Sequence, residues 1–187
     1  MSDFPVLDRS HEILREVVAN LTAADLGLPT PCEQWTVAQV LQHAAGDQVG
    51  YASKITGGAG PADDPFDPSG TLDGEPMELL APALEAAASA WATVEPGSEV
   101  TTPLPIGPLS AEIGAACCAL DAAVHAWDIA KATGQPSPLT PELARELMPA
   151  AKVTDPLRQY GVYAPVVDAE PGDDDVAALL RFLGRRP

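Results

Sequence analysis

Histidine is scarce in this chain. Only His11, His43 and His125 occur among the 187 residues, so a site built on imidazoles has three donors to draw on. Cysteine is equally rare, and its three copies are an odd number with Cys117 and Cys118 adjacent. That excludes a disulfide framework and leads us to expect a reducing, cytoplasmic setting. A run of about 18 apolar residues is missing, so no membrane span is expected. The opening MSDFPVLDRSHEI lacks a basic stretch followed by an apolar core, so no secretory leader is expected either. Basic residues are outnumbered: 10 Lys and Arg stand against 27 Asp and Glu, a net charge of −17. Such a surface is repelled by phosphate backbones and by anionic lipid, which excludes nucleic acid and membrane surfaces as partners. The motifs of several large enzyme classes are missing too: G-x-S-x-G, the P-loop, G-x-G-x-x-G and C-x-x-C.

What is present reads as helices joined by stiff loops. The apolar fraction of 46% is ordinary for a globular protein, and the 20 Pro and 15 Gly concentrate between the periodic segments. Ile13, Leu14, Val17, Val18 and Leu21 recur at spacings of three and four, which predicts a first helix over about Asp8–Asn20. His11 falls in its first turn, where an exposed or capping role is expected. After the Pro-punctuated loop Leu26–Trp35, Thr36 and Gln39 form a capping-box pair that opens a second helix reaching about Ile55. Val37, Val40, Leu41, Ala44 and Ala45 line its buried face. His43 lies at the edge of that face, and Asp47 one turn later on the same edge. A third helix is expected from Pro76 to Val94. Val100–Pro108 allows short edge strands at most. Ser110 can cap a fourth helix over Ala111–Thr133, with Gly134 closing it.

These four segments predict an all-α protein built on a four-helix bundle over about 8–134. The extension over about 135–187 would add two short helices to the same domain. One opens at Thr140-Pro141 and is expected to end near Pro149. The other follows Asp173-Asp174-Asp175 and closes at Gly184. The stretch from Gly57 to Pro76 is rich in Gly, Pro and Asp, and either covers one end of the bundle or runs free of it.

Chemistry concentrates in CCALDAAVHAWDIAKATG, Cys117–Gly134. Asp121 and His125 are four residues apart, so they stack on one helix face with Cβ atoms roughly 5–6 Å apart. Both lie at the rim of the apolar stripe made by Ile113, Cys117, Leu120 and Val124. His43 occupies the same kind of position on the second helix. Two imidazoles and one carboxylate make a three-ligand set with open positions, suited to Zn²⁺ and tolerated by Ni²⁺, Fe²⁺ or Mn²⁺. The same pair also reads as a simple ion pair, and the spacing leaves both readings open. Asp128, one turn past His125, is expected behind the ligands or in solvent. Cys117 and Cys118 are expected to pack as small apolar residues. Arg158 stands in a stretch poor in basic residues, where it either holds an anionic ligand or forms a structural ion pair.

WTVAQVLQH (Trp35–His43) followed by LDAAVHAWDIAKATG (Leu120–Gly134) resembles the DinB/YfiT-like metalloprotein superfamily. Within it, the chain is most similar to the group related to the N-terminal domain of mycothiol-dependent maleylpyruvate isomerase, common in actinobacteria. The resemblance implies a four-helix bundle holding a metal, usually Zn²⁺, on His43, Asp121 and His125. It implies a low-molecular-weight thiol, mycothiol, as co-substrate, with a small electrophile as its partner in isomerisation or thiol transfer. Asp47, if turned toward the site, would serve as a base. The isomerase carries Glu where this chain has Asp121, and it has a sizeable C-terminal domain where only about fifty residues follow the bundle here. Metal binding is therefore the firmer expectation. A non-enzymatic metal-binding or stress-response module, and a bundle without its metal, stand as alternatives. A homodimer through exposed helix faces fits the resemblance.

Overall fold

The computed structural model describes residues 3–32 and 34–187. The first two residues of the stretch read for a leader, and Glu33 of the loop before the second helix, lie outside them. Among the described residues there are six α-helices: α1 Pro5–Ala19, α2 Val37–Thr56, α3 Pro76–Trp91, α4 Ala111–Thr133, α5 Pro141–Thr154 and α6 Asp175–Phe182. A two-stranded antiparallel ribbon, β1 Glu99–Val100 with β2 Leu109–Ser110, sits between α3 and α4. The protein is all-α, and its first four long helices form the bundle.

Their order round the bundle differs from their order in sequence. α1 packs on α4, α4 on α2, α2 on α3, and α3 back on α1. α1 therefore faces α2 across one diagonal, and α3 faces α4 across the other. α2 and α4, which carry the three residues singled out above, are neighbours. Beyond the bundle, α5 packs on α4 and α6 packs on α5.

α4 is the shared wall of two apolar clusters. Leu120, Val124 and Trp127 turn toward α5, α6 and Trp91, while Ala122, Ala126 and Ile129 turn toward α1, α2 and α3. Being apolar on nearly every side, α4 is long and apolar enough by composition to cross a membrane. Here its surface is buried by its neighbours instead, as expected of a central core helix. Asp121, His125 and Asp128 are polar exceptions in this setting.

Local chemistry fixes the helix ends. The Thr36 hydroxyl accepts from Gln39 N at 3.4 Å while Gln39 Oε1 accepts from Thr36 N at 3.0 Å, a complete capping box. The preceding loop folds back so that Leu28 and Leu26 carbonyls accept from Val37 and Ala38 N–H, two more of the donors a helix start leaves unpaired. The Ser110 and Thr140 hydroxyls cap α4 and α5 by accepting from Ile113 N and Leu143 N. Gly134 closes α4 in the left-handed conformation.

Three expectations need correction. α5 does not end near Pro149 but runs through it to Thr154. Pro149 sits on the exposed side, where the carbonyl it fails to bond is within reach of water, while Leu147, Ala150 and Ala151 stay buried. α1 begins at Pro5, three residues earlier than expected, because a proline suits the first helical position. His11 is thereby carried into the second turn and is buried rather than exposed. Its Nε2 meets Gln48 Oε1 at 2.8 Å, across the diagonal between α1 and α2. Gln48 Nε2 in turn donates to the Cys118 carbonyl of α4 at 3.3 Å. The stretch from Gly57 to Pro76 covers the bundle instead of running free. Gln39 donates to the Pro68 carbonyl, and Gln42 both donates to the Thr71 carbonyl and accepts from Gly70 N. Gly46 lets Pro65 lie directly on α2: a Cβ there would meet the Pro65 ring at 2.8 Å.

Candidate metal centre

Asp121 and His125 are presented by successive turns of α4, and His43 by the facing side of α2. The ligand atoms of the three lie within 4.8 Å of one another. Asp121 Oδ1 is 3.4 Å from His43 Nε2 and 3.3 Å from His125 Nε2. The shorter aspartate therefore still reaches both imidazoles. Its other oxygen, Oδ2, is buried and has no hydrogen-bond partner among the described residues. A buried carboxylate oxygen left unpaired is costly, and a cation is what such an atom accepts.

Both imidazoles are held from behind. His43 Nδ1 is 2.8 Å from the Pro65 carbonyl, so it must carry the proton and donate. His125 Nδ1 is 3.1 Å from Asp128 Oδ2. Each ring thus turns its Nε2 inward, the arrangement by which metal-ligating histidines are usually oriented. The His43 ring is further packed between Trp35 at 4.7 Å and Phe66 at 5.2 Å, with His125 edge-on at 4.9 Å. Gln34, just before Trp35, holds a left-handed φ of +83° without being glycine, so the loop bearing Trp35 is a constrained one. The donor chemistry, the orphaned Oδ2 and the outward tethers together fit a divalent cation.

Electrostatics at the site are dominated by burial and opposing charges. Burial disfavours the imidazolium of His125, but the Asp121 and Asp128 carboxylates on either side outweigh it and raise its pKa to about 10. Burial raises the pKa of Asp121, and the His125 and His43 rings overcome that and leave it lowered. Asp47, the candidate base, faces the same cluster from α2. Its burial, reinforced by the Asp121 charge, raises its pKa to about 7.

A second trio, Cys32, His125 and Asp128, also lies within 4.8 Å. It is less suited to a cation, because Arg185 already occupies both oxygens of Asp128. Asp128 is neither a solvent group nor a ligand of the first trio. It is wholly buried and supports His125. Cys117 and Cys118 are buried as expected, and burial pushes the Cys117 thiol up to about 12. Arg158 is not brought to this cluster. Its guanidinium pairs with Asp155 at 2.9 Å, donates to the Phe182 carbonyl at 2.8 Å and to the Ala164 carbonyl, and lies over the Tyr163 ring.

Sequence reasoning missed the Pro65 carbonyl and Arg185. Nothing in a sequence marks a backbone carbonyl for this role. Arg185 did carry a signal: it follows the glycine that closes a helix, in a chain with few cations.

An uncharacterised protein of Mycobacterium tuberculosis, found in two strains, is 33% identical over 184 residues, covering 95% of this chain and 94% of the relative. No solved structure gives a significant match. The model of the mycothiol maleylpyruvate isomerase N-terminal domain matches residues 7–130, a span containing His43, Asp121 and His125. The chain therefore belongs to the mycothiol maleylpyruvate isomerase N-terminal domain family.

Proposed function

We propose that this protein binds a divalent metal ion on His43, Asp121 and His125, and uses a low-molecular-weight thiol as co-substrate. Zn²⁺ is the first choice for two imidazoles and a carboxylate, with Ni²⁺ the alternative. The family name points to mycothiol as the thiol, and a small electrophile completes the reaction as thiol transfer or isomerisation. The single observation carrying the reading is the convergence of both Nε2 atoms on Asp121, whose second oxygen is buried without a partner.

A divalent ion bound there supplies Lewis acidity, which lowers the pKa of a thiol that reaches it. The chain's own residues supply the rest. Pro65 and Asp128 hold the two imidazoles in one tautomer. Trp35 and Phe66 flank His43, and Phe66, 59% exposed, offers an aromatic face at the mouth. Asp47 takes the thiol proton on its carboxylate. A cytoplasmic homodimer remains part of this reading, through the exposed helix faces rather than the site.

One observation favours a second reading, a metal-binding module without catalysis. His43 and His125 are only 6% and 7% exposed, and two cavities of about 690 and 380 Å³ are lined by other residues. Metal content by elemental mass spectrometry on untagged protein is the primary test. About one Zn or Ni per chain, lost in His125→Ala, is expected. Wild-type protein that takes up no metal after incubation with Zn²⁺ would sink both readings. Metal-loaded protein that shows no turnover of thiol and electrophile would leave the binding module.

A further inference from the structure

We propose that Arg185 is a positioning residue of this centre, acting through Asp128 on His125; the inference rests on the metal reading above. Asp128 is wholly buried on α4. Arg185 meets both of its oxygens, Nε donating to Oδ1 at 3.3 Å and Nη2 to Oδ2 at 2.9 Å. The same Oδ2 accepts from His125 Nδ1 at 3.1 Å. Arginine is suited to this, because its planar fork fixes a carboxylate in orientation as well as in charge. A carboxylate so fixed commits the His125 proton to Nδ1 and leaves Nε2 free to face Asp121.

Arg185 is itself held in place. It is buried, its Nη1 donates to the Leu183 carbonyl at 3.2 Å, and its backbone N–H donates to the Leu180 carbonyl at 2.8 Å. Gly184 makes that approach feasible. Its φ is +85°, and a Cβ there would stand 2.7 Å from the Ala164 carbonyl oxygen. The chain can therefore double back after α6 and send residue 185 toward α4. Residue 185 lies outside the 7–130 region matched by the family model. The C-terminal extension is thus part of the site's construction and not an appendage to a finished bundle.

The test is Zn²⁺ affinity of the full chain, read by competition with a chromophoric chelator. The variants are Arg185→Met, Arg185→Lys, Asp128→Asn and the Arg185→Met/Asp128→Asn double, with circular dichroism to establish folding. Arg181→Met is the control: it loosens α6 through Asp168, Glu170 and Asp173 without a polar contact to α4. We expect Asp128→Asn to weaken binding about 10–100-fold, as removing a partner of a metal-bound histidine does, and Arg185→Met to weaken it by up to that much. Arg185→Lys should weaken it less, since it keeps the charge but not the fork. The double variant should lose no more than Asp128→Asn alone, because the effect runs through that carboxylate. Wild-type affinity in folded Arg185→Met, equal loss in Arg181→Met, or additive losses in the double would each overturn the inference. Should Arg185→Met not fold, unchanged affinity in Arg185→Lys overturns it. A wild type that binds no Zn²⁺ removes the metal reading and this inference together. Variants that match a Zn²⁺-binding wild type remove the inference alone.

Discussion

His11 illustrates how burial converts a side chain into a pH-dependent stability term. Burial favours the neutral ring and lowers its pKa, a shift that the Gln48 hydrogen bond only partly opposes. With the folded-state value below the ordinary 6.5, protons bind the unfolded chain first. The stability held by neutral His11 is therefore complete above 6.5 and is lost as pH falls from there through the folded-state value. Between about pH 8 and about pH 5, the urea midpoint of wild-type protein should fall more than that of His11→Gln. Parallel midpoints would show that His11 does not contribute. The residue was misjudged from sequence because its class depended on where α1 begins. Moving the start to Pro5 turned a first-turn position into a core position. Asp121 and His125 were easier to place, since a spacing of four fixes their common face whatever surrounds the helix. That His43 meets them is a fact about which helices are neighbours, and local periodicity does not contain it.

At the scale of elements, α2 carries much of the site's precision. It bears His43 and Asp47, seats Pro65 against Gly46, and anchors the covering loop through Gln39 and Gln42. Gln39 serves twice, in the capping box and on the Pro68 carbonyl. Thr36→Ala removes the hydroxyl half of that box and should cost about 1 kcal/mol in denaturant unfolding. An unchanged midpoint would mean that the loop carbonyls of Leu26 and Leu28 secure the helix start without it. The box was readable in the sequence, because its chemistry is local. The covering role of residues 57–75 was not, since it depends on glutamines one turn apart on a helix that the loop reaches only in three dimensions. α5 shows the opposite limit. A proline is a helix terminator by default, and only its exposure on the folded surface makes Pro149 tolerable.

At the scale of the molecule, the net charge of −17 sets a background of self-repulsion that the few ion pairs do not cancel. Screening should relieve it. Raising NaCl from about 0.01 M to about 1 M shortens the Debye length from ~30 Å to ~3 Å, and Tm should rise with it. A Tm that is flat or falls would mean that the ion pairs, such as Arg145 with Asp175 and Arg181 with Asp173, outweigh the repulsion. The all-α class and the run of four long segments were legible, because each is a property of one stretch at a time. The ring order was not, because it is set by pairings between distant stretches.

That ring order governs how the chain can assemble during synthesis. α2 and α3 follow one another and pack together, so their pairing needs no later part of the chain. α1 has no such neighbour: it lies diagonal to α2 and adjacent to α3 and α4. Its apolar face, Leu14, Val17 and Val18, is therefore covered in full only after α3 and α4 have been made. The pairing of α1 with α4 spans about a hundred residues, and contacts of that separation slow folding. The pairing that completes the packing of α1 thus closes late, and the apolar face of α1 is open to misassembly in that interval.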